Sequence, residues 1–548
     1  MNVTFVPGCS GTPPDPMPGY DNDKDYCTIP PLPLPGYLAY VYDNTGDRLF
    51  SHYNKTPPLG ECEGDCDNDD DCIGDLKCFH RSRTEAVPGC LSGDSTFGQD
   101  TSRRDYCYRG ATSSPTLSTS PTQLSNSTCA PTPAVSPSPT GPATYIPGQN
   151  TLVEADLSLS TGLRAEVIAV SGQRVALSSG QVSAEPFHGK PDGAAVFVDE
   201  CGGGWTYVSN SEKGDSSKYT GGVGALYFNA RNEVIGYKMI QKKTRRNCSG
   251  GRTWWATWLT CEEVSGGGVY EVEPKNNNPS IKRKTLLGQN GRNGGAYEGV
   301  AYDNRFPDDV NFRPKFFLTE DAPKGPLERF QPSLQALADA KASGDYSNLL
   351  HIDPDGTAQT DYLVITPDTG INTQGTFIWT ASLRDGRRNA RAYFRNCEGI
   401  DVRNGMLYMT CKVDKLLFIL DLDAMTYTQS STIKGAFNDQ PDQIASITGV
   451  NGDILYFCED GIKGGESGRS GSGVHARDAT GQGYTILQDE SEKIKGETTG
   501  LAFSPDRKLM IVAYQHEGRI YKIWREDGRP FGGQMLDIRY HFDDTFAT

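Results

Sequence analysis

Six short hydrophobic runs in this chain end in a small or polar residue and then, in most cases, an acid. They are YVSNSE (207–212), WLTCEE (258–263), FLTED (317–321), LYMTCK (407–412), LYFCED (455–460) and IVAYQH (511–516). A second set of acids opens apolar segments: Asp192, Glu298, Glu398 and Asp442, with Glu497 a looser match ahead of Gly500. Carboxylates cannot be crowded together without cations or raised pKa values. Gathered in one place, these side chains form an oxygen-rich site suited to calcium, magnesium or oxidised iron. Histidine is scarce, with only His516 inside a repeat, so a His-rich zinc site is not expected. The candidate ligands are Glu262, Glu263, Glu298, Glu320, Asp321, Glu398, Asp442, Glu459, Asp460 and Glu497. Any single pair fits a turn or a salt bridge equally well, but six unrelated turns would not repeat one phrase. Arg245, Arg246, Arg292, Lys324 and Arg395 lie near these motifs as anion-gripping candidates. Arg292 and Arg395 are the better two, each sitting just before an opening Glu.

The elements that position such residues follow from the repetition. A strand that recurs with the same polar ending is how a β-propeller lines the mouth of its channel. The steps between successive endings in residues 150–548 are 51, 58, 91, 48 and 56 residues, so apart from one long step each blade takes roughly 50 to 60. The long step from Asp321 to Lys412 holds an insertion with a short helix over Ser333 to Ala342, read as a rim or lid element. The expected fold is therefore all-β: a six-bladed β-propeller with a rim insertion, preceded by small disulfide-rich modules.

Residues 31–108 form one such module. Cys62, Cys66, Cys72, Cys78, Cys90 and Cys107 imply three disulfides, in any of 15 pairings. Residues 1–30 echo its C-terminal half, with Cys9 and Cys27 matching Cys90 and Cys107. If Cys9 bonds Cys27, Cys90 should bond Cys107. The acid run Asp65 to Asp71 reads as a solvated turn. Residues 109–149 are a Ser/Thr/Pro-rich linker with the lone Cys129, a candidate for an intermolecular bridge. Sequons at Asn2, Asn54, Asn126 and Asn247, with the 15 cysteines, predict a secreted or cell-surface glycoprotein whose signal peptide lies upstream of Met1. A net charge of −16 argues against nucleic acid as a partner, and no apolar run is long enough for a membrane span.

The stretch Asn247-Cys248-Ser249-Gly250-Gly251 through Trp258-Leu259-Thr260-Cys261-Glu262-Glu263 resembles the signature of PhoX-type alkaline phosphatases. Tyr297-Glu298-Gly299, Leu318 to Asp321, Cys397-Glu398-Gly399, Pro441-Asp442 and Cys458 to Gly461 follow in that family's order. The N-terminal module resembles one found in secreted proteins of diatoms and related algae. The phosphatase resemblance implies a six-bladed propeller with Ca2+ and Fe3+ at the channel mouth, hydrolysing small phosphate monoesters. It implies Cys248 as the iron-binding thiolate, with Cys261 the rival, and the acids above as ligands. The family places Arg-Pro before the opening Glu, where this chain has Arg395-Asn396-Cys397. Cys201, Cys397, Cys411 and Cys458 are further disulfide candidates. The alternative is a non-catalytic, calcium-stabilised scaffold that self-associates or joins a matrix through its cysteine-rich modules and Cys129.

Overall fold

The computed structural model describes residues 77–79, 106–108, 146–199, 203–214, 221–288, 295–309, 311–432, 440–449, 452–460, 472–478, 483–489 and 496–531. The chain divides into two units, Met1–Asn126 and Ser127–Thr548. In the first, Lys77–Phe79 and Tyr106–Tyr108 pair antiparallel with Cys78 opposite Cys107. Cys9, Cys27, Cys62, Cys66, Cys72, Cys90, Cys129, Cys201, the sequons at Asn2, Asn54 and Asn126, and Arg292 lie outside the described residues.

The second unit is an all-β propeller built from six antiparallel meanders among the described residues. The innermost strands are Pro191–Val198, Asn247–Arg252, Gly295–Asp303, Cys397–Arg403, Gln440–Gly449 and Thr498–Phe503. Each pairs with the next strand in the chain: Gly204–Ser211, Trp258–Gly267, Lys315–Glu320, Met406–Cys411, Gly452–Asp460 and Leu509–Tyr514. The hydrophobic phrases of the sequence are these second strands.

Period-two alternation lets one strand serve two seams. In Pro191–Val198, Ala195 and Phe197 pack toward the second blade, while Val196 packs toward the sixth. Each of the six seams between neighbouring blades carries its own buried apolar cluster. The ring closes with strands from before the first blade. Leu163–Val170 completes the sixth blade against Arg519–Arg525, and Leu157–Thr161 extends the fifth against Gly483–Asp489.

The insertion contains the expected helix at Leu334–Ser343. The Ser333 hydroxyl caps it by accepting from the Ala336 N–H. Its buried face packs with Leu349 against Trp254 and Trp255. A second helix, Leu383–Tyr393, was not anticipated. Its arginine-rich sequence lacks an apolar stripe, and small residues, Gly386 and Ala390, make its buried side.

Neighbouring inner strands approach too closely for side chains at some openings. A Cβ on Gly399 would lie 2.4 Å from the Asp442 carbonyl oxygen of the next blade. Gly500, at φ +62°, closes the ring against the Tyr207 hydroxyl, which donates to its carbonyl at 2.7 Å. Gly399→Ala should cost about 1–3 kcal/mol of stability by forcing the blades apart, read as a lower thermal midpoint; an unchanged midpoint would show that the seam yields freely.

His188 gives a second, independent prediction. It is buried, stacked on Phe187 at 4.3 Å, and burial lowers its pKa from 6.5 to about 4. The unfolded chain takes up this proton near pH 6.5 and the folded chain only near pH 4. The group's contribution is thus complete above pH 6.5 and is lost as pH falls through 4, by roughly 3 kcal/mol. His188→Phe should flatten the stability profile across that window in denaturant titrations; a parallel profile would mean that the ring protonates without opposing the fold.

Candidate metal centre

Every inner strand carries a β-bulge at its opening. The register slips at Pro191/Ala194, Asn247/Gly250, Tyr297/Val300, Cys397/Ile400, Pro441/Ile444 and Thr499/Ala502. A bulge leaves residues unpaired and re-aims their side chains. In five blades the bulged residues begin with Asp192, Cys248, Glu298, Glu398 or Asp442. The bulges are held from neighbouring blades. Asn210 Nδ2 donates to the Ser249 carbonyl at 2.8 Å, Thr319 Oγ1 to the Glu398 carbonyl at 2.6 Å, and Thr410 Oγ1 to the Asp442 carbonyl at 2.7 Å.

Two tiers of charge result. The less buried tier comes from the ends of the second strands: Glu212, Glu263, Asp321, Lys412 and Asp460. Arg246 ties Glu212 (Nε to Oε1, 2.7 Å) to Glu263 (Nη2 to Oε2, 2.6 Å). The Lys412 ammonium contacts Glu398, lies 2.8 Å from Asp321 and is 3.8 Å from Asp460, joining three blades. Burial alone would depress Lys412, but Glu398 and Asp321 hold its pKa well above the usual range.

The deeper tier is Asp192, Cys248, Glu298, Glu398, Asp442 and Glu497. Asp192 is satisfied by the protein: Gln443 Nε2 (2.9 Å), Thr499 Oγ1 (2.6 Å) and Gln515 Nε2 (3.0 Å) all donate to it. Glu497 accepts from Gln515 at 3.2 Å. The others are not so provided for. Both carboxyl oxygens of Glu298, which is fully buried, lack a hydrogen-bond partner, as does Asp442 Oδ2. A buried carboxylate left this way costs several kcal/mol (~3–5 where one partner of an ion pair is removed). Burial first, then Glu398 and Glu263, push the Glu298 pKa far up. Burial and Asp192 do the same to the Cys248 thiol, which donates weakly to Asp192 at 3.4 Å.

Donor atoms of Cys248, Glu263 and Glu298 lie within 4.8 Å of one another, and so do those of Glu298, Glu398 and Asp442. Glu298 belongs to both groups, so its two oxygens can serve two adjoining cations. The second group offers three carboxylates, a donor set for a hard cation, and the first adds a sulfur donor to two carboxylates. The orphaned oxygens of Glu298 are the structural sign that these residues fit metal ions.

The sequence-derived ligands divide by strand parity. Cys248, Glu263, Glu298, Asp321, Glu398, Asp442, Asp460 and Glu497 converge. Glu262, Glu320 and Glu459 do not, because each precedes an axial residue and so falls on a blade face. Glu262 accepts the Arg245 N–H at 2.9 Å, and Glu320 faces Arg387 at 4.0 Å. Glu459 is buried inside the fifth blade, 3.0 Å from His475 Nε2. Arg395 is also corrected: it is exposed and its guanidinium bonds Asp414 (Nε to Oδ2, 3.2 Å), turned away from the cluster. The Asn247 sequon has no room for a glycan, since its buried Nδ2 donates to Thr260 Oγ1 at 2.8 Å. Cys397 and Cys411 form a disulfide, whereas Cys248, Cys261 and Cys458 are free thiols. Cys261 sits in the apolar seam between the second and third blades, which leaves Cys248 as the thiol of the site. Reading the endings as a set of acids missed the structural part played by Lys412, although it occupies the aligned position in its phrase.

No family model and no curated protein matches the chain. Among solved structures it is similar to the PQQ domain of a pyranose dehydrogenase from Coprinopsis cinerea (12% identity, 67% of this chain and 97% of that one, TM-score 0.31). It is also similar to a nidogen/laminin complex (11%, 59% and 99%, TM-score 0.32). A third is the Cps50 (Swd1) β-propeller domain of Myceliophteria thermophila (10%, 62% and 96%, TM-score 0.32). Likeness at this level carries nothing about chemistry.

Bound cations should raise stability by mass action, about 2.7 kcal/mol at a concentration 100 times Kd. Glu298→Gln replaces a carboxyl that must take up a proton or a cation to stay buried. In chelator its thermal midpoint should exceed that of the unmutated protein, and its rise on adding calcium or iron should be smaller. A protein indifferent to both ions would remove the metal centre.

Proposed function

We propose that the chain is a secreted, metal-dependent phosphatase that hydrolyses small phosphate monoesters at calcium and iron ions in the propeller mouth. The observation that carries this reading is Glu298, buried with two unpartnered oxygens between two groups of would-be ligands. Cys248, Glu263 and Glu298 would hold one ion, and Glu298, Glu398 and Asp442 the other. Cations there supply Lewis-acid chemistry, drawing charge from a phosphoryl oxygen. The chain's own residues do the positioning. Lys412 fixes Asp321 and Glu398, Arg246 fixes Glu212 and Glu263, and Gln443 and Gln515 keep Asp192 in place. With Arg395 paired to Asp414, Lys412 and Arg246 are the basic groups that touch would-be ligands, at Glu398 and Glu263 respectively. The Cys397–Cys411 bond, together with the sequons, supports an oxidising, extracellular setting.

One observation favours the scaffold alternative. The Lys412 ammonium already cross-links three blades, as a purely structural cation would. The two readings part on one assay. Protein loaded with calcium and iron should release phosphate from an aryl phosphate, and Glu298→Gln should lower kcat by about 10- to 100-fold or more. Glu262→Gln, altered outside the cluster, serves as the control and should stay within a few-fold (about RT to 2RT in barrier). Fully metallated protein that releases no phosphate would leave the scaffold reading standing.

A further inference from the structure

The helix Leu383–Tyr393 carries a second concentration of charge, of opposite sign. Arg384, Arg387, Arg388 and Arg391 stand at i, i+3, i+4 and i+7, one face of the helix. Lys324, three residues beyond Asp321, faces the same space. Together with Leu383 these side chains line an open surface pocket of about 530 Å³. Among the described residues little neutralises them. Arg388 pairs with Asp385 at 3.2 Å and Arg387 reaches Glu320 at 4.0 Å. Among the described residues no carboxylate pairs with Arg384, Arg391 or Lys324, and all three are exposed. This is a costly arrangement to keep on a helix, because like charges at i, i+4 repel. It also stands out on a chain with net charge −16.

We propose that this face is a binding site for an anion carrying several linked phosphoryl groups. The planar guanidinium fork matches phosphoryl oxygens two at a time and keeps its charge at any working pH. The four arginines extend over about 10 Å of helix, longer than a single phosphate needs. The site lies beside the metal centre in the chain: Lys324 follows Asp321, and the helix leads through Phe394 and Asn396 into Glu398. Asn396 ties this connection down, its Nδ2 donating to Asp321 at 2.7 Å. Binding here does not depend on turnover at the metal centre.

Calorimetric titration of the full chain with inorganic triphosphate, orthophosphate and a sulfated polysaccharide tests this, in calcium buffer and again in EDTA. The EDTA arm separates the arginines from the metal centre, so that a failed hydrolysis assay leaves this result readable. Triphosphate should bind at least about tenfold more tightly than orthophosphate. The exposed double variant Arg384→Gln/Arg391→Gln should lose that advantage in both buffers while keeping its thermal midpoint. Equal affinity for the two phosphates, an unaffected double variant, or binding of the polysaccharide without triphosphate would each overturn the proposal.

Discussion

Everything in this molecule is arranged around negative charge withdrawn from water. Burial of Glu298, Glu398 and Asp442 is unfavourable by itself, and their mutual repulsion adds to the cost. The fold sustains it by spreading the load. Six inter-blade seams supply the apolar burial, the bulges give each carboxylate a fixed direction, and hydroxyl and amide donors from neighbouring blades anchor the bulged backbone. Those donors also mean that the openings of the second, fourth and fifth blades are each fixed by the blade before. Thr319 and Thr410 hold the opening of the blade after their own, so the geometry of each ligand is set by its neighbour.

The protein treats its own charge in three ways. Amides and hydroxyls satisfy Asp192, basic side chains pair the outer carboxylates, and both Glu298 oxygens are left without a hydrogen-bond partner. This gradation matters more than the number of acids. A ring that was wholly satisfied would be a structural plug, and a ring wholly unsatisfied would not stay closed. Lys412 marks the border between the two regimes, touching Glu398 of the deeper tier from the end of the fourth blade's second strand.

Much of this was legible in the sequence, because a strand's period is two and its endings repeat. The phrases located the second strands and the opening acids located the starts of inner strands, while the bulges at those starts were not legible. Which member of each acidic pair would face the axis was not legible from spacing alone. Glu262 and Glu263 read alike until register decides that the second of them turns inward. Arg395 looked like part of the site because it lies close to Glu398 in the chain, but a partner 19 residues away, Asp414, draws it outward. The helix Leu383–Tyr393 was hidden for a different reason. Its buried residues are small, so no apolar period announced it.

Closure of the ring by strands that precede the first blade sets an order of events during synthesis. Leu157–Thr161 and Leu163–Val170 are made well before their partners, Gly483–Asp489 and Arg519–Arg525, with most of the blades in between. Until those partners are made, Leu163–Val170 lacks its mate and Leu157–Thr161 is paired only with Ile146–Glu154, a window in which a chaperone or a premature contact could capture their open edges. The propeller can latch shut only when its final blade emerges, and until then its crowded acids remain spread apart and bathed in solvent.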